Sequence, residues 1–298
     1  MTPLLRAVWA SGPALLALTM LFWSGSVVVG RAAAELVPPV LFTLLRWAGA
    51  LLLVAPIAWP HLRADLPALW RRRWVVLLLS LLGTVAYNIL VYRGLHQTTA
   101  VNALLMQSVM PLAILLVGLV LFKEWPGLRQ GVAILVSIAG VLAIAAQGSF
   151  ETLRHLRFNP GDLLILTAVL AYAVYSAALR RRPQVHPFSL LAVMFAVGVT
   201  ALLPLAWLEH QQGARLVANG ASLLAVTYAV VFASLLATLF YNRGVALLGA
   251  ARAGQYSHLM PVFGTVLAVL FLGERLQLYH AGGMALIAAG LLIARRTG

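Results

Sequence analysis

The sequence predicts an all-α integral membrane protein, with ten transmembrane helices arranged as two inverted five-helix repeats. Three observations predict it. The 298 residues are 62% hydrophobic and 9% charged, with a mean hydropathy of +0.96, far from the roughly 25% charged residues of soluble domains. The apolar residues fall into runs of about 20, the length that crosses a hydrocarbon core. The punctuation also recurs. Gln107-Ser108-Val109-Met110-Pro111 is echoed 150 residues on by Ser257-His258-Leu259-Met260-Pro261, and each proline is followed thirteen residues later by a glutamate, Glu124 or Glu274.

The predicted spans are, in order, about 13–32, 38–59, 74–94, 99–121, 128–147, 161–180, 187–208, 221–242, 250–272 and 277–294. Breaks are expected at Pro38-Pro39, Pro60, Pro126-Gly127, Asn159-Pro160, Pro187 and Gly273, where turn residues interrupt the apolar runs. No segment alternates as a transmembrane β-strand does. Arg6, the apolar run after it and Ala32-Ala33-Ala34 resemble a signal peptide. The first span is nonetheless retained, because Phe22-Trp23-Ser24 has a counterpart in Ala171-Tyr172-Ala173.

The repeat runs through most of the chain. At an offset of 150, Arg93-Gly94 pairs with Arg243-Gly244, Met110-Pro111 with Met260-Pro261, Glu124 with Glu274 and Gly140 with Gly290. Earlier the offset is 148, pairing Pro56-Ile57-Ala58-Trp59 with Pro204-Leu205-Ala206-Trp207. Residues 1–148 therefore form the first repeat, 149–160 a linker and 161–298 the second. Five spans per half is an odd number, so the second half enters the membrane inverted. Secondary transporters are built this way, with the substrate site at the interface of the repeats near the bilayer midplane. With the N-terminus inside, fourteen of the Lys and Arg residues fall on the cytoplasmic side and six on the other, which predicts both termini in the cytoplasm.

Composition excludes several classes. A net charge of +14 invites a nucleic-acid partner, but it arises from only seven acidic residues, and the cations sit in short loops between apolar runs. No nucleic acid is expected; the partners are the lipid bilayer and a small-molecule substrate. The chain has no cysteine, hence no disulfide, thiolate metal site or cysteine nucleophile. The one lysine, Lys123, is followed by Glu124, so no phosphate-binding loop for ATP exists. Neither an H-E-x-x-H helix nor a G-x-S-x-G elbow is present. The chain is expected to be no enzyme and to use no cofactor and no metal.

The sequence resembles the drug/metabolite transporter superfamily, EamA type. The resemblance is carried by Leu45-Arg46-Trp47, by the run Pro111…Glu124…Gln130-Gly131…Gly140, and by its copy Pro261…Glu274…Gly282…Gly290. It covers nearly the whole chain and implies ten spans in two inverted halves. Within the superfamily the sequence looks most like bacterial inner-membrane exporters of amino acids and metabolites, aromatic ones included. Two positions depart from the repeat: Met194 stands where Arg46 would recur, and His280 where Gln130 would.

Candidate substrate-binding residues follow from helical spacing, since residues three, four and seven apart share a face. The third span carries Ser80, Thr84, Tyr87 and Asn88; the eighth carries Thr227, Ser234, Thr238 and Tyr241; Trp23 and Ser26 on the first pair with Tyr172 and Tyr175 on the sixth. On the broken spans Met106 and Gln107 precede Pro111, Tyr256 and His258 precede Pro261, and the two prolines are candidate hinges. Arg46 is the cation inside a span, where charge costs at least roughly 2.5–3.5 kcal/mol; either it snorkels to the near interface or a cavity, carbonyl or substrate carboxylate offsets the cost. Ser and Thr equally serve helix packing, and His258 equally serves a carbonyl opened by the proline. All seven acidic residues lie at span ends or in loops, with Glu124 beside Arg129 and Glu274 beside Arg275 expected to cap or pair locally. With no carboxylate deep in a span, facilitated passage is expected and proton coupling is the rival. The glycines and alanines of the fifth and tenth spans read as packing or dimer surfaces, leaving monomer or homodimer open. The expected function is outward passage of neutral and aromatic amino acids by alternating access. The alternatives are a broad exporter of aromatic or cationic xenobiotics, whose cations would meet Trp and Tyr faces, and a membrane receptor or scaffold.

Overall fold

The computed structural model describes residues 8–122, 128–149, 159–248 and 256–295, and the described regular structure is all helical. The segments are α1 (Gly12–Ala32), α2 (Pro39–Arg71), α3 (Arg73–Leu95) and α4, broken into Ala100–Gln107 and Met110–Phe122. They continue with α5 (Leu128–Ala145), α6 (Pro160–Ala178), α7 (Pro187–Gln211) and α8, made of Gly220–Tyr228, Ala229–Leu236 and Ala237–Leu248. Last come α9 (Leu259–Leu272), entered through the tight turn Tyr256–His258, and α10 (Leu278–Arg295). The helices over Gly12–Ala32, Pro39–Arg71, Arg73–Leu95, Pro160–Arg181, Pro187–Gln211 and Gly220–Gly244 are long and apolar enough to cross a membrane. The two pieces of α4, bent by 46°, make a seventh as a pair. The outward side chains suit lipid: Leu223 and Leu224 on α8 are 69% and 71% exposed, which no water-facing helix would tolerate in such number.

One expected break is corrected. Helix α2 does not stop at Pro60 but runs on to Arg71 through Pro56, Pro60 and Pro67. All three prolines are exposed, and their spacing of four and seven puts them on one outer face. The lost backbone bonds therefore sit on the side without neighbours, while Val54, Ala58 and Leu69 keep the inner face buried.

The packing exchanges the halves. Helix α2 lies on α7 and α5 on α10; α1 packs on α8 and α9 just as α6 packs on α3 and α4. Small residues set the closest of these contacts. Gly140 of α5 meets the Gly283 carbonyl of α10, and Gly290 meets Ser137. The small-residue surfaces of these two helices are thus turned toward each other within the chain.

Acidic residues cap helices of other segments. The Glu209 carboxylate accepts from the backbone N–H groups of Val40 (3.0 Å) and Leu41 (2.9 Å), the first turn of α2, where Pro38 offers no side-chain cap. Asp65 accepts from the His186 N–H at the start of α7 (3.0 Å). Glu274 accepts from Ala100 (2.8 Å) and Val101 (2.9 Å) at the start of α4. The expectation of local pairing for Glu274 is corrected: it caps a helix 174 residues away, because an N-terminus with unpaired N–H groups attracts an anion more strongly than an exposed arginine does. Glu124 lies outside the described residues. Replacing Glu209 by Gln is expected to lower the unfolding free energy by about 1–2 kcal/mol, read as a lower thermal midpoint in detergent.

Candidate functional site

The site begins with two widened helical turns. Residues Leu81–Ala86 of α3 and Ala229–Leu236 of α8 form π-helical segments, one in each half. A π turn leaves carbonyls that the α-helical ladder no longer claims, and such turns concentrate at functional sites. Polar side chains take up these carbonyls. Asn88 Nδ2 donates to the carbonyls of Gly83 (3.0 Å) and Thr84 (3.2 Å), and Ser234 Oγ donates to that of Ala229 (2.9 Å). Both side chains are thereby fixed with their acceptor oxygens turned inward.

Arg46 bridges the two segments. Its Nε donates to Ser234 Oγ (2.9 Å), and its Nη1 donates to Tyr92 Oη (2.6 Å), Ser26 Oγ (3.3 Å) and Asn88 Oδ1 (3.4 Å). The guanidinium also lies over the Trp47 ring, 4.9 Å from its centroid. At 9% exposure the residue is buried; the guanidinium points into the bundle, not toward the interface. Among the described residues its hydrogen-bond partners are neutral oxygens, so the positive charge stands without a carboxylate partner.

Aromatic rings adjoin this cluster. Tyr87 Oη donates to Gln107 Oε1 (2.7 Å), and the Tyr87 ring leans on Tyr172 (5.0 Å), which leans on Tyr175 (5.2 Å). Gln107 is held by donating to the Ala103 carbonyl (3.2 Å). Trp23 donates from its indole to the Ala233 carbonyl in the second π segment (3.2 Å) and packs on Tyr241 (5.4 Å). Arg46 lies within electrostatic range of Tyr87, and Tyr241 within range of Tyr172 and Tyr175. One continuous patch thus joins α1, α2, α3 and α4 to α6 and α8.

The structure brings together Trp23, Arg46, Tyr87, Asn88, Gln107, Tyr172, Tyr175 and Tyr241. It does not bring Met106, Thr238 or Tyr256 into the patch. Met106 is fully buried in the core. Thr238 lines a small crevice with Val54, Phe195 and Leu235 that borders the patch only at Ser234. Tyr256 is half-buried in the turn before α9, without a hydrogen-bond or ring partner among the described residues. Pro111 follows the break in α4 and Pro261 stands at the start of α9; the side chains of Pro111 and His258 lie outside the described residues. At the second break Ser24 Oγ donates to the Met260 carbonyl (2.9 Å). Sequence reasoning passed over Tyr92, although it continues the Thr84 and Asn88 stripe by one more step of four.

The two ends of the bundle differ. At one end the Arg31 guanidinium donates to the Leu95 carbonyl (2.8 Å), the Val217 N–H to the Leu36 carbonyl (2.9 Å) and the Asn159 amide to the Gln97 carbonyl (2.8 Å). Together with the Glu209 and Glu274 caps these bonds hold that end closed. The other end carries a cleft of about 270 Å3 walled by Arg71, Arg72, Arg180, Arg181 and Arg182. Arg182 lies within electrostatic range of Tyr175, so the basic cleft approaches the aromatic patch.

The fold and site define a multi-pass helical membrane protein with a buried polar and aromatic patch between its halves. The chain belongs to the EamA-like transporter family, whose profile matches it twice, at residues 10–146 and 159–296, and the drug/metabolite transporter superfamily fits it. It is similar to YyaM of Bacillus subtilis, an uncharacterized transporter, at 26% identity over 73% of this chain and 72% of that one. An uncharacterized transporter of Archaeoglobus fulgidus is 25% identical over 94% of this chain and 95% of its own. A protein of Streptantibioticus cattleyicolor named "Probable terminal-alkyne amino-acid exporter" is 28% identical over 98% of this chain and 94% of its own. One solved crystal structure shares the fold with a TM-score of 0.63, covering 96% of both chains at 23% identity.

Proposed function

We propose that the protein exports neutral and aromatic amino acids across the bacterial inner membrane. Transport is by alternating access, through a site between two inverted five-span repeats, with both termini cytoplasmic. The observation that carries this reading is Arg46, a buried cation bonded to neutral oxygens from both halves, lying over the Trp47 ring and sharing one patch with the ring pairs Tyr87–Tyr172 and Trp23–Tyr241. Such a charge suits a substrate carboxylate, and the rings suit a planar apolar side chain. The exchange of contacts between halves supports the repeat, and the paired π segments sit at matching places in it. Under this orientation the closed end faces outward and the arginine cleft faces the cytoplasm. The similarity to a protein named as an amino-acid exporter supports the substrate class. A buried cation opposes a cationic substrate, which weighs against export of cationic xenobiotics.

Efflux from proteoliposomes tests the reading. Labelled phenylalanine, tryptophan, leucine, glutamate and a quaternary dication are loaded in turn, and the expected result is saturable flux of phenylalanine and tryptophan above protein-free vesicles. Flux of the dication alone would establish the xenobiotic exporter instead. Saturable binding of any of them without flux would establish a receptor.

A further inference from the structure

A second buried polar network lies at the closed end, away from Arg46. Asp162, in the first turn of α6, has no exposed surface. Thr98 Oγ1 donates to its Oδ1, and Asn102 Nδ2 donates to its Oδ2 (3.5 Å) and to Thr98 Oγ1 (3.4 Å). On its other side Asn102 Oδ1 lies 2.8 Å from Nε2 of His280, which is 4% exposed. The remaining ring nitrogen of His280, Nδ1, lies 3.0 Å from the Gln277 N–H. A backbone N–H can only donate, so Nδ1 carries no proton, the proton sits on Nε2, and Nε2 donates to Asn102. The chain of donors therefore runs in one direction, from a neutral His280 through Asn102 to an ionised Asp162. It ties α6 and α10 to the first turn of α4. At span ends these acids had no signal of burial in the sequence; the structure shows that an end residue can still be enclosed by protein.

We propose that Asp162 and His280, joined through Asn102, form a proton-binding latch whose protonation releases the α4 end from α6 and α10. The signs agree at both groups. A protonated Asp162 loses the charge-assisted bonds from Thr98 and Asn102. A protonated His280 carries a hydrogen on Nδ1 and opposes the Gln277 N–H, which removes the bond that caps the start of α10. Both groups hold the latch at higher pH and free it as pH falls. The charged and titratable groups beside them are Glu274, which caps α4, and Tyr279, whose ring lies 4.2 Å from His280; at the same end of the bundle, Arg31 of the last turn of α1 donates to the Leu95 carbonyl next to His96 in the turn between α3 and α4. Burial and the Arg31 charge hold the His96 pKa below its ordinary value. In the transport cycle, which rests on the export reading above, external protons would favour the outward-open form and couple proton entry to export.

The latch is testable without a substrate, because the chain has no cysteine. Ala103→Cys, at a position fully buried just behind Asn102, is labelled in proteoliposomes with a membrane-impermeant maleimide. Labelling is followed after acid and neutral pre-incubation, with the thiol reaction itself run at one common pH within the dead time of a rapid mix. Acid pre-incubation is expected to raise the labelling rate about tenfold, equivalent to about 1.4 kcal/mol. Asp162→Asn is expected to label fast after either treatment, and Asn102→Ala likewise. Infrared difference spectra add a readout independent of the cysteine: acidification should produce a protonated-carboxyl band that Asp162→Asn lacks. Slow labelling unaffected by acid in the otherwise unaltered protein would overturn the proposal. So would a full acid step retained in both Asp162→Asn and Asn102→Ala. If neither variant folds, the acid step and the carboxyl band of the unaltered protein decide. Should the latch fail while phenylalanine efflux persists, only the coupling is lost; should efflux fail while the acid step appears, only the substrate reading is lost.

Discussion

Replacing Arg46 with alanine is expected to lower phenylalanine efflux about 100-fold, equivalent to about 2.7 kcal/mol of a charge-assisted carboxylate contact. Membrane abundance should hold, because Asn88 and Ser234 keep their bonds to the π-turn carbonyls of their own helices. Arg46→Lys should fall between the two. Arg46 uses Nε and Nη1 toward different oxygens at once, and an ammonium is a compact point charge that cannot reproduce this fork. Normal efflux by Arg46→Ala at normal abundance would remove Arg46 from the binding site. Equal loss of efflux and abundance would make it a structural residue.

Gly140→Val is expected to destabilise the protein by about 2–3 kcal/mol through overpacking of α5 on α10. A Cβ at Gly140 would fall 2.7 Å from the Gly283 carbonyl oxygen and 2.9 Å from Ile287. A backbone atom on the facing helix cannot swing aside as a side-chain tip can. Gly282, one residue from Gly283 on the same helix, meets nothing within 4 Å. Gly282→Ala is therefore expected to be neutral or to stabilise by up to about 1 kcal/mol. Thermal unfolding in detergent of the two variants side by side checks both; equal effects would mean that the α5–α10 contact does not set stability.

Helix positions were legible because apolar runs and turn residues fix them locally. Where α2 was misread, at Pro60, the fault lay in reading proline as a stop. Three prolines on one exposed face cost a bundle little, and only the neighbours reveal which face that is. Arg46 was legible as a cation inside a span, and Tyr87, Tyr172 and Trp23 as aromatic residues on shared faces. Its partners were less so. Helical spacing marked Ser234 and Asn88 as facing residues, but not the π turns whose carbonyls they bond nor their meeting at Arg46. Helical spacing also placed Met106 with the cavity residues, yet it gives only the direction of a side chain. What covers that direction is decided by the adjacent helix, which here closes over Met106. Asp162 was read, with the other acids, as lying at a span end or in a loop. Its enclosure by Thr98, Asn102 and His280 comes from two other segments.

The central claim is that Arg46 receives the carboxylate of an aromatic amino acid. Equilibrium binding of labelled phenylalanine to the purified protein, with its methyl ester as competitor, tests it most directly. The ester keeps the ring and the amine but has no anionic carboxylate. Saturable phenylalanine binding is predicted, with the ester competing at least about tenfold more weakly. Arg46→Ala should bind both ligands equally and weakly. An ester that competes as well as phenylalanine itself would contradict the account.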